Sequence, residues 1–405
     1  MDREVEYEPV SVKVILAEMK DTAELLIDLS YSSVLLESSA IAEEVLALEQ
    51  RMDVLRLKAR MSLLMAARSP EDAKALAPVL GVVDAAEKIS EAAGDIAKTV
   101  VEEIVLPDAI RSALPEALES IVRAELAADS ALAGQTLGER HLETETGVRV
   151  IAIRRQGEWL LNPDQETTLR AEDVLLLRGP EEGIAVVYSE ATGEEYQTSE
   201  PTKPAIEDVG RAVDSIILMK NMSELAVDLA YGAVLFNNEE VAREVFELEV
   251  EVDALQSRFE AWTLRAASRV DDPVSLRGLV HIAQSTEVIS DAALEISEGV
   301  LHGLGAHSVV AAAVEESDEI IIRLEIEAKS TLDGATLGTE MVSTKTGMRV
   351  IAVRRGSRDD DDGDDDDDGW VISPGPDTEL RAGDIILAKG TRSGAERLAE
   401  LTEAS

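Results

Sequence analysis

Acidic side chains recur four residues apart in segments of the chain that carry a helical pattern. Residues at this spacing lie on one face of a helix, so both members of a pair can reach the same cation. A second pair from a neighbouring helix would complete a site of carboxylate oxygens, which suits divalent cations. The pairs are Glu49 and Asp53 with Glu87 and Glu91, and Glu249 and Asp253 with Glu287 and Asp291. The alternative is a solvated acidic face, because 82 of the 405 residues are acidic and many such pairs arise by chance.

Two adjacent arginines end a strand-like segment in each half of the chain, and a third arginine precedes them. Guanidinium groups bind phosphates and carboxylates through paired hydrogen bonds, so these side chains are candidates for holding an anionic effector. The six residues are Arg149, Arg154, Arg155, Arg349, Arg354 and Arg355. The alternative is that they form ion pairs with nearby acidic side chains at exposed strand ends.

The sequence carries no recognisable enzyme signature. It has no cysteine, which excludes disulfides, thiolate nucleophiles and cysteine-ligated metals. The four histidines form no HxxxH pair, and neither a phosphate-binding loop nor a nucleophile elbow is present. No GxGxxG motif follows a strand, so we expect no nucleotide-binding Rossmann domain. These absences predict a non-enzymatic binding protein.

The formal net charge of -44 is spread along the chain rather than confined to one tail. With 11 Lys, 27 Arg and 3% aromatic residues, the composition is typical of a protein kept soluble in molar salt, and we expect a salt-loving source. Nucleic-acid binding is disfavoured, because a phosphate backbone requires clustered basic residues. We find no signal peptide and no stretch of roughly 18 apolar residues. We therefore expect a cytoplasmic protein that meets a membrane only through a partner.

An internal repeat at an offset of 200 residues divides the chain into two similar halves. The segment MKDTAELLIDLSY from Met19 aligns without gaps to MKNMSELAVDLAY from Met219, and TLGERHLETETGVRVIAIRR from Thr136 aligns to TLGTEMVSTKTGMRVIAVRR from Thr336. Each half has helical periodicity first and strand periodicity afterwards. We predict helical units at 11–106 and 206–301, α/β units at 117–191 and 317–405, and a linker at 192–205.

The helical units each read as a three-helix bundle. The apolar stripe Ile41, Val45, Leu48 and Met52 steps by four and three residues, as expected of a long packed helix. Ser69-Pro70 and Asp272-Pro273 are start signals for a third helix, in which a polar residue caps the first turn and proline occupies it. Pro78 and Gly278 predict a kink or a late helix start.

The α/β units read as four short strands and a closing helix. In the first unit the strands are expected at 121–126, 148–155, 158–162 and 173–179, and the helix at 181–190. The second unit carries an 11-residue insertion at 359–369 with nine aspartates, which should be disordered and rich in bound cations. The fold class is therefore α+β and multidomain.

The α/β units resemble the C-terminal domain of Trk/Ktr-type potassium transport regulators, also called the TrkA-C or RCK C-terminal domain. The resemblance lies in TLGE, then TGVRVIAIRR, then EWLLNPDQETTLRAEDVLLLRG in the first unit. The second unit keeps the family's Gly-Asp step as Gly383-Asp384, where the first has Glu172-Asp173. Some domains of this family bind cyclic di-AMP between two copies, which implies cyclic di-AMP or another nucleotide as the effector.

The helical units resemble the three-helix repeats of the PhoU family, through the acidic pairs on the second helix and the segments AEKISE and TEVISD on the third. This resemblance implies that the acidic pairs bind divalent or iron cations.

Together the two resemblances imply a regulatory subunit of a cation transport system, with potassium as the expected ion and a membrane transporter or channel as the partner. The alternative is a metal-binding adaptor that regulates phosphate uptake. We expect a homo-oligomer, or a pseudo-dimer formed within one chain by its two α/β units.

Overall fold

The computed structural model describes residues 12–104, 121–142, 146–161, 163–196, 206–236, 238–302, 319–356, 369–372 and 374–404. The predicted acidic insertion at 359–369 lies outside these ranges except for Gly369, and most of the predicted linker lies outside them as well.

The first half consists of three long helices followed by a four-stranded sheet with two shorter helices. In chain order the elements are α1 (Val12–Leu35), α2 (Ser39–Ala66), α3 (Pro70–Val101), β1 (Ile121–Glu125), α4 (Leu137–Arg140), β2 (Arg149–Arg155), β3 (Glu158–Leu161), β4 (Val174–Arg178) and α5 (Glu181–Thr192).

The second half repeats this order. Its elements are α6 (Glu207–Phe236), α7 (Glu239–Ala267), a 3-10 turn (Pro273–Leu276), α8 (Arg277–Leu301), β5 (Glu319–Glu325), α9 (Val342–Thr346), β6 (Met348–Arg354), β7 (Trp370–Ile372), β8 (Ile385–Thr391) and α10 (Arg392–Thr402). The predicted fold class, alternating helical and small sheet units, is confirmed.

Local signals in the sequence explain where the helices begin. The Ser69 hydroxyl accepts the backbone N–H of Asp72, and Pro70 occupies the first turn of α3, as predicted. Asp272 caps the 3-10 turn in the same way, by accepting the N–H of Val274. A late helix start is found only in the second half, where α8 begins at Arg277. Helix α3 instead begins at Pro70 and continues through Pro78, so of the two alternatives predicted there, a kink or a late start, the late start is not found in the first half.

All six long helices contribute to one continuous apolar core. Helices α3 and α8 run antiparallel along the boundary between the halves and make the main contact there. Tyr31 on α1 reaches Thr286 on α8, with 2.5 Å between the two hydroxyl oxygens. Pairing of the two α/β units within one chain was one of the two alternatives predicted, beside a homo-oligomer, but the halves meet mainly through their helices. Helical periodicity identifies an apolar face without identifying the helix that covers it, which is why the sequence did not indicate this contact.

Each sheet is antiparallel, with strand order β1-β4-β2-β3 in the first half and β5-β8-β6-β7 in the second. A register shift occurs at equivalent places in β2 and β6, between Val150 and Ala152 and between Val350 and Ala352. One face of each sheet packs on the helical core, through Ala152 in the first half. The other face, which includes Ile153, packs in a smaller core with the α/β unit's own helix. Strand alternation therefore places successive side chains against different partners.

Candidate effector and metal sites

The predicted acidic residues of the second half converge on one side of the α7–α8 pair. Carboxylate oxygens of Glu249, Asp253 and Asp291 all lie within 4.8 Å of one another. Burial and then repulsion from Asp253 and Asp291 raise the pKa of Glu249. Burial and the same two neighbours also raise the pKa of Glu287. Mutual repulsion of this kind is relieved by a bound cation, and a donor set made only of oxygens suits a hard divalent or trivalent metal.

Three of the four equivalent residues in the first half lie beside basic side chains. Arg56 contacts Glu87 and lies 3.6 Å from Asp53. The Lys98 ammonium is 3.8 Å from Glu49. Burial raises the pKa of Glu49 despite the opposing effect of Lys98. Glu91 is exposed on α3, one turn beyond Glu87.

Substitutions between the two copies produce this difference. At the positions of Arg56 and Lys98 the second half has Gln256 and Glu298. An ammonium or guanidinium group already satisfies carboxylates that a metal would otherwise bind. The residues of the second half therefore fit a cation better than those of the first half.

The six predicted arginines divide into three pairs, each with one member in either half. In each half, one arginine at the end of the central strand crosses to a buried glutamate of the helical unit. Arg154 lies 2.5 Å from Glu44, and Arg354 donates twice to Glu244, at 2.7 and 2.9 Å. Each glutamate also accepts from the first strand of the sheet, at 3.3 Å from Arg123 and 2.7 Å from Arg323.

The next arginine along the strand binds within its own α/β unit. Arg155 donates to both oxygens of the buried Asp173, at 2.8 and 2.6 Å. Arg355 donates to Asp384 at 2.7 Å. An anionic effector would have to displace a carboxylate to reach any of the four arginines at the strand ends.

Arg149 and Arg349 differ from the other four because their side chains are exposed, and no ion pair involving either is found among the described residues. Arg349 borders a cavity of about 320 Å3, with Met341, Val350, Pro374 and Pro376 among its lining residues. An apolar cavity beside an unpaired guanidinium group is suited to a ligand that combines flat apolar rings with phosphate.

The buried glutamates Glu44 and Glu244 were missed in the sequence analysis. They are 3% and 2% exposed, and each occupies the apolar stripe of its helix, three residues after Ile41 and Val241 respectively. A charged residue within an apolar stripe, repeated in both copies, is the signal that could have revealed them.

None of the helices in the described part of the chain combines the length and apolar composition needed to cross a bilayer.

Two family models match the chain, each of them twice. The PhoU domain matches residues 16–100 and 216–300, and the TrkA-C domain matches residues 121–191 and 321–402. The predicted tandem of the two domain types is therefore confirmed.

Potassium channel protein 1 of Methanocaldococcus jannaschii is 34% identical to the chain over 97 residues, which are 24% of this chain and 25% of that protein. The chain thus spans about a quarter of the length of this curated relative. Among solved structures, PhoU from Pseudomonas aeruginosa has 13% identity and a TM-score of 0.39, covering 76% of this chain and 96% of that one. The RCK C-terminal domain dimer of S. agalactiae BusR in complex with c-di-AMP has 21% identity and a TM-score of 0.17, covering 17% of this chain and 86% of that one.

Proposed function

We propose that this chain, which belongs to the proteins built from tandem PhoU and TrkA-C domains, is a non-enzymatic regulatory subunit of a membrane cation-transport system, with potassium as the ion. Its TrkA-C domains bind a small effector in the cytoplasm, and its PhoU helices transmit the change to a transporter or channel. The domain composition and the similarity to a potassium channel protein support this role.

The observation that carries the proposal is the buried link between each TrkA-C sheet and its PhoU helices. Glu44 and Glu244 each bind two arginines of the adjoining sheet. A buried ion pair resists separation, because removing either charge leaves its partner desolvated and unpaired. A movement of the sheet on effector binding would therefore displace α2 or α7 rather than be lost at the domain boundary.

Strand β6 connects the proposed effector site to this link. Arg349, near the start of the strand, borders the cavity, and Arg354, at its end, binds Glu244. The two residues are five positions apart, which is about 17 Å along an extended strand. A nucleotide such as cyclic di-AMP would place its rings in the cavity and a phosphate on Arg349. It would therefore act on β6, the strand whose Arg354 binds Glu244. Arg149 is the corresponding residue of the first domain.

Calorimetric titration with cyclic di-AMP and with a panel of mononucleotides tests the effector site. We expect one of these ligands to bind, and Arg349→Ala to weaken its binding about 10- to 100-fold, as expected for the loss of a charged hydrogen bond. Arg243→Ala, which removes an exposed arginine of α7, is the matched control and should leave binding unchanged. Equal affinities for wild type and Arg349→Ala would rule out this cavity as the effector site.

Potassium uptake by cells that lack the gene tests the transport role. We expect uptake to lose its response to the effector, wild-type protein to restore that response, and Arg349→Ala to fail to restore it. Unchanged potassium uptake together with altered phosphate uptake would contradict the proposal and favour a phosphate adaptor.

A metal-dependent adaptor of phosphate uptake is the second candidate, and the carboxylate cluster of Glu249, Asp253 and Asp291 favours it. We expect Mn2+ or Fe3+ to raise the Tm, since a ligand that binds only the folded state stabilises it. Glu249→Gln should abolish this shift, while Glu49→Gln should preserve it because Lys98 already neutralises Glu49.

Because protons compete with the metal for carboxylates whose pKa is raised, the metal-induced Tm shift should shrink as the pH falls. A metal-induced shift that survives Glu249→Gln would contradict this site.

A further inference from the structure

Four carboxyl groups meet where α1 of the first half crosses α6 of the second. They belong to a pattern that both copies share. In this pattern lysine, glutamate and aspartate follow one another at intervals of four residues, and a tyrosine comes three residues after the aspartate. The two sets are Lys20, Glu24, Asp28 and Tyr31, and Lys220, Glu224, Asp228 and Tyr231. Neither the effector site nor the acidic cluster of α7 and α8 uses these residues.

The first pair joins Asp28 of α1 to Glu224 of α6, and the Arg178 guanidinium lies within 4.0 Å of both carboxyl groups, which are close enough to share a proton. The Asp28 side chain is only 12% exposed. Lys220 lies 2.6 Å from Glu224, and Arg178 at the end of β4 lies 3.0 Å from Asp28. Two carboxyl groups can form a hydrogen bond to each other only when one of them is protonated.

The second pair is the counterpart of the first under the internal repeat. Glu24 of α1 lies close enough to Asp228 of α6 for its charge to raise the pKa of Asp228, and Lys20 contacts Glu24. The charged groups that act on Asp228 are therefore Glu24 and Lys20 on α1, together with Glu224 on its own helix.

The electrostatics place the proton of each pair on the aspartate. Burial, followed by the charge of Glu224, raises the pKa of Asp28 to about 7, against the opposing effects of Arg178 and Lys220. Burial and the charge of Glu24 raise the pKa of Asp228 well above its ordinary value. Burial alone would raise the pKa of Glu224, but Lys220, the hydrogen bond with Asp28 and the charge of Arg178 lower it.

We propose that these four carboxyl groups form a proton-binding joint between the two halves, in which each Asp–Glu pair shares one proton and loss of that proton loosens the contact between α1 and α6. Deprotonation replaces a hydrogen bond by two adjacent negative charges, which repel each other across the boundary. Through this joint the protein responds to pH in addition to the effector. The joint rests on the helical contact alone and does not depend on the identity of the effector or of the transported ion.

The sign of the pH effect follows from the direction of the shift. An unfolded aspartate has a pKa of about 3.9, so between about pH 4 and pH 7 the folded chain holds a proton on Asp28 that the unfolded chain has released. The contribution of this group to stability therefore falls as the pH rises through that window and remains low above it. Asparagine has the shape of a protonated aspartate and cannot ionise. The Tm of Asp28→Asn should therefore rise relative to wild type as the pH increases from about 5 to about 8.

The experiment combines carboxyl titration with hydrogen exchange in the full chain. In wild type, we expect the 13C resonance of the Asp28 carboxyl to titrate with a midpoint near pH 7, as the raised pKa implies. Amide exchange in α1 and α6, corrected for intrinsic rates, should accelerate several-fold between about pH 6 and about pH 8.5. The double variant Asp28→Asn with Asp228→Asn should lose this acceleration. Asp129→Asn, which alters an exposed aspartate, should retain it.

Two results would overturn the proposal. One is an Asp28 titration midpoint near that of an ordinary aspartate, which can be measured in wild type even if a variant fails to fold. The other is a corrected exchange rate in α1 and α6 that does not change with pH in wild type.

Discussion

Two tyrosines at equivalent positions, Tyr31 and Tyr231, differ by a single hydrogen bond. The Tyr31 hydroxyl bonds to Thr286, whereas the buried Tyr231 hydroxyl has no hydrogen-bond partner in the described part of the chain. The repeat explains the difference, because the counterpart of Thr286 is Ala86. We predict that Ala86→Ser stabilises the protein by about 1 kcal/mol, the usual net value of a buried hydrogen bond.

Urea unfolding of the Ala86 variant measures this effect. Serine adds only one oxygen to a packed position, so little overpacking is expected. Thr286→Ala is the mirror control and should lower stability by removing the partner of Tyr31. A destabilised Ala86→Ser would mean that the two tyrosines do not occupy equivalent environments.

In the turn before the last strand of each sheet, the two halves carry different residues at the equivalent position. Glu172 adopts a left-handed φ of 68°, and its counterpart Gly383 has a φ of 87°. The N–H of each donates at 2.8 Å to the carbonyl of the residue that directly follows the first strand of its sheet, Leu126 or Ile326, so the tight turn forms in both copies. A residue with a Cβ is strained in this conformation and glycine is not. We predict that Glu172→Gly raises stability by about 0.5–1 kcal/mol. Thermal unfolding should show this gain and a loss for Gly383→Ala.

At the scale of elements, periodicity in the sequence was sufficient to predict most helices and strands. The stripe from Ile41 to Met52 is buried on α2, and the four strands of the first sheet form where the alternation indicated. Periodicity did not identify what covers each face. Arg123 of β1, for example, binds Glu44 of α2. Such contacts depend on residues 79 positions apart, which no local pattern encodes.

The buried glutamates Glu44 and Glu244 attach each sheet to its helical unit, and a single substitution tests this role. Glu44→Gln removes the charge that both Arg123 and Arg154 require, and it should cost roughly 3 kcal/mol, the lower part of the range for a broken buried pair because the arginines are partly exposed. Hydrogen exchange should rise first in β1 and β2. Glu43→Gln, which alters the exposed neighbouring residue, is the control and should leave exchange unchanged. Uniform exchange across the chain in Glu44→Gln would argue against a local attachment.

At the scale of the whole molecule, the duplication has produced two halves with one core but different charges. The seam of α3 and α8 joins the halves, while Gln256 and Glu298 stand in the second half where the first half has Arg56 and Lys98, so the acidic cluster of the second half lacks these two basic neighbours. The offset of 200 residues predicted the duplication and the shared architecture. The joining of the halves into one core could not be predicted, because every apolar stripe fits several packing partners equally well.

Two glycines on the seam helices provide a matched test of how closely the halves are packed. A Cβ on Gly299 of α8 would lie 2.7 Å from the Cβ of Pro78 on α3, whereas a Cβ on Gly81 of α3 would meet no atom within 4 Å. Alanine favours a helix over glycine by about 1 kcal/mol, so Gly81→Ala should be stabilising. Gly299→Ala has the same helical advantage but forces the two helices apart, at a cost of about 1–3 kcal/mol. We therefore expect the Tm to rise for Gly81→Ala and to fall for Gly299→Ala. If both substitutions raised the Tm equally, the halves would have to be loosely associated rather than joined in one core.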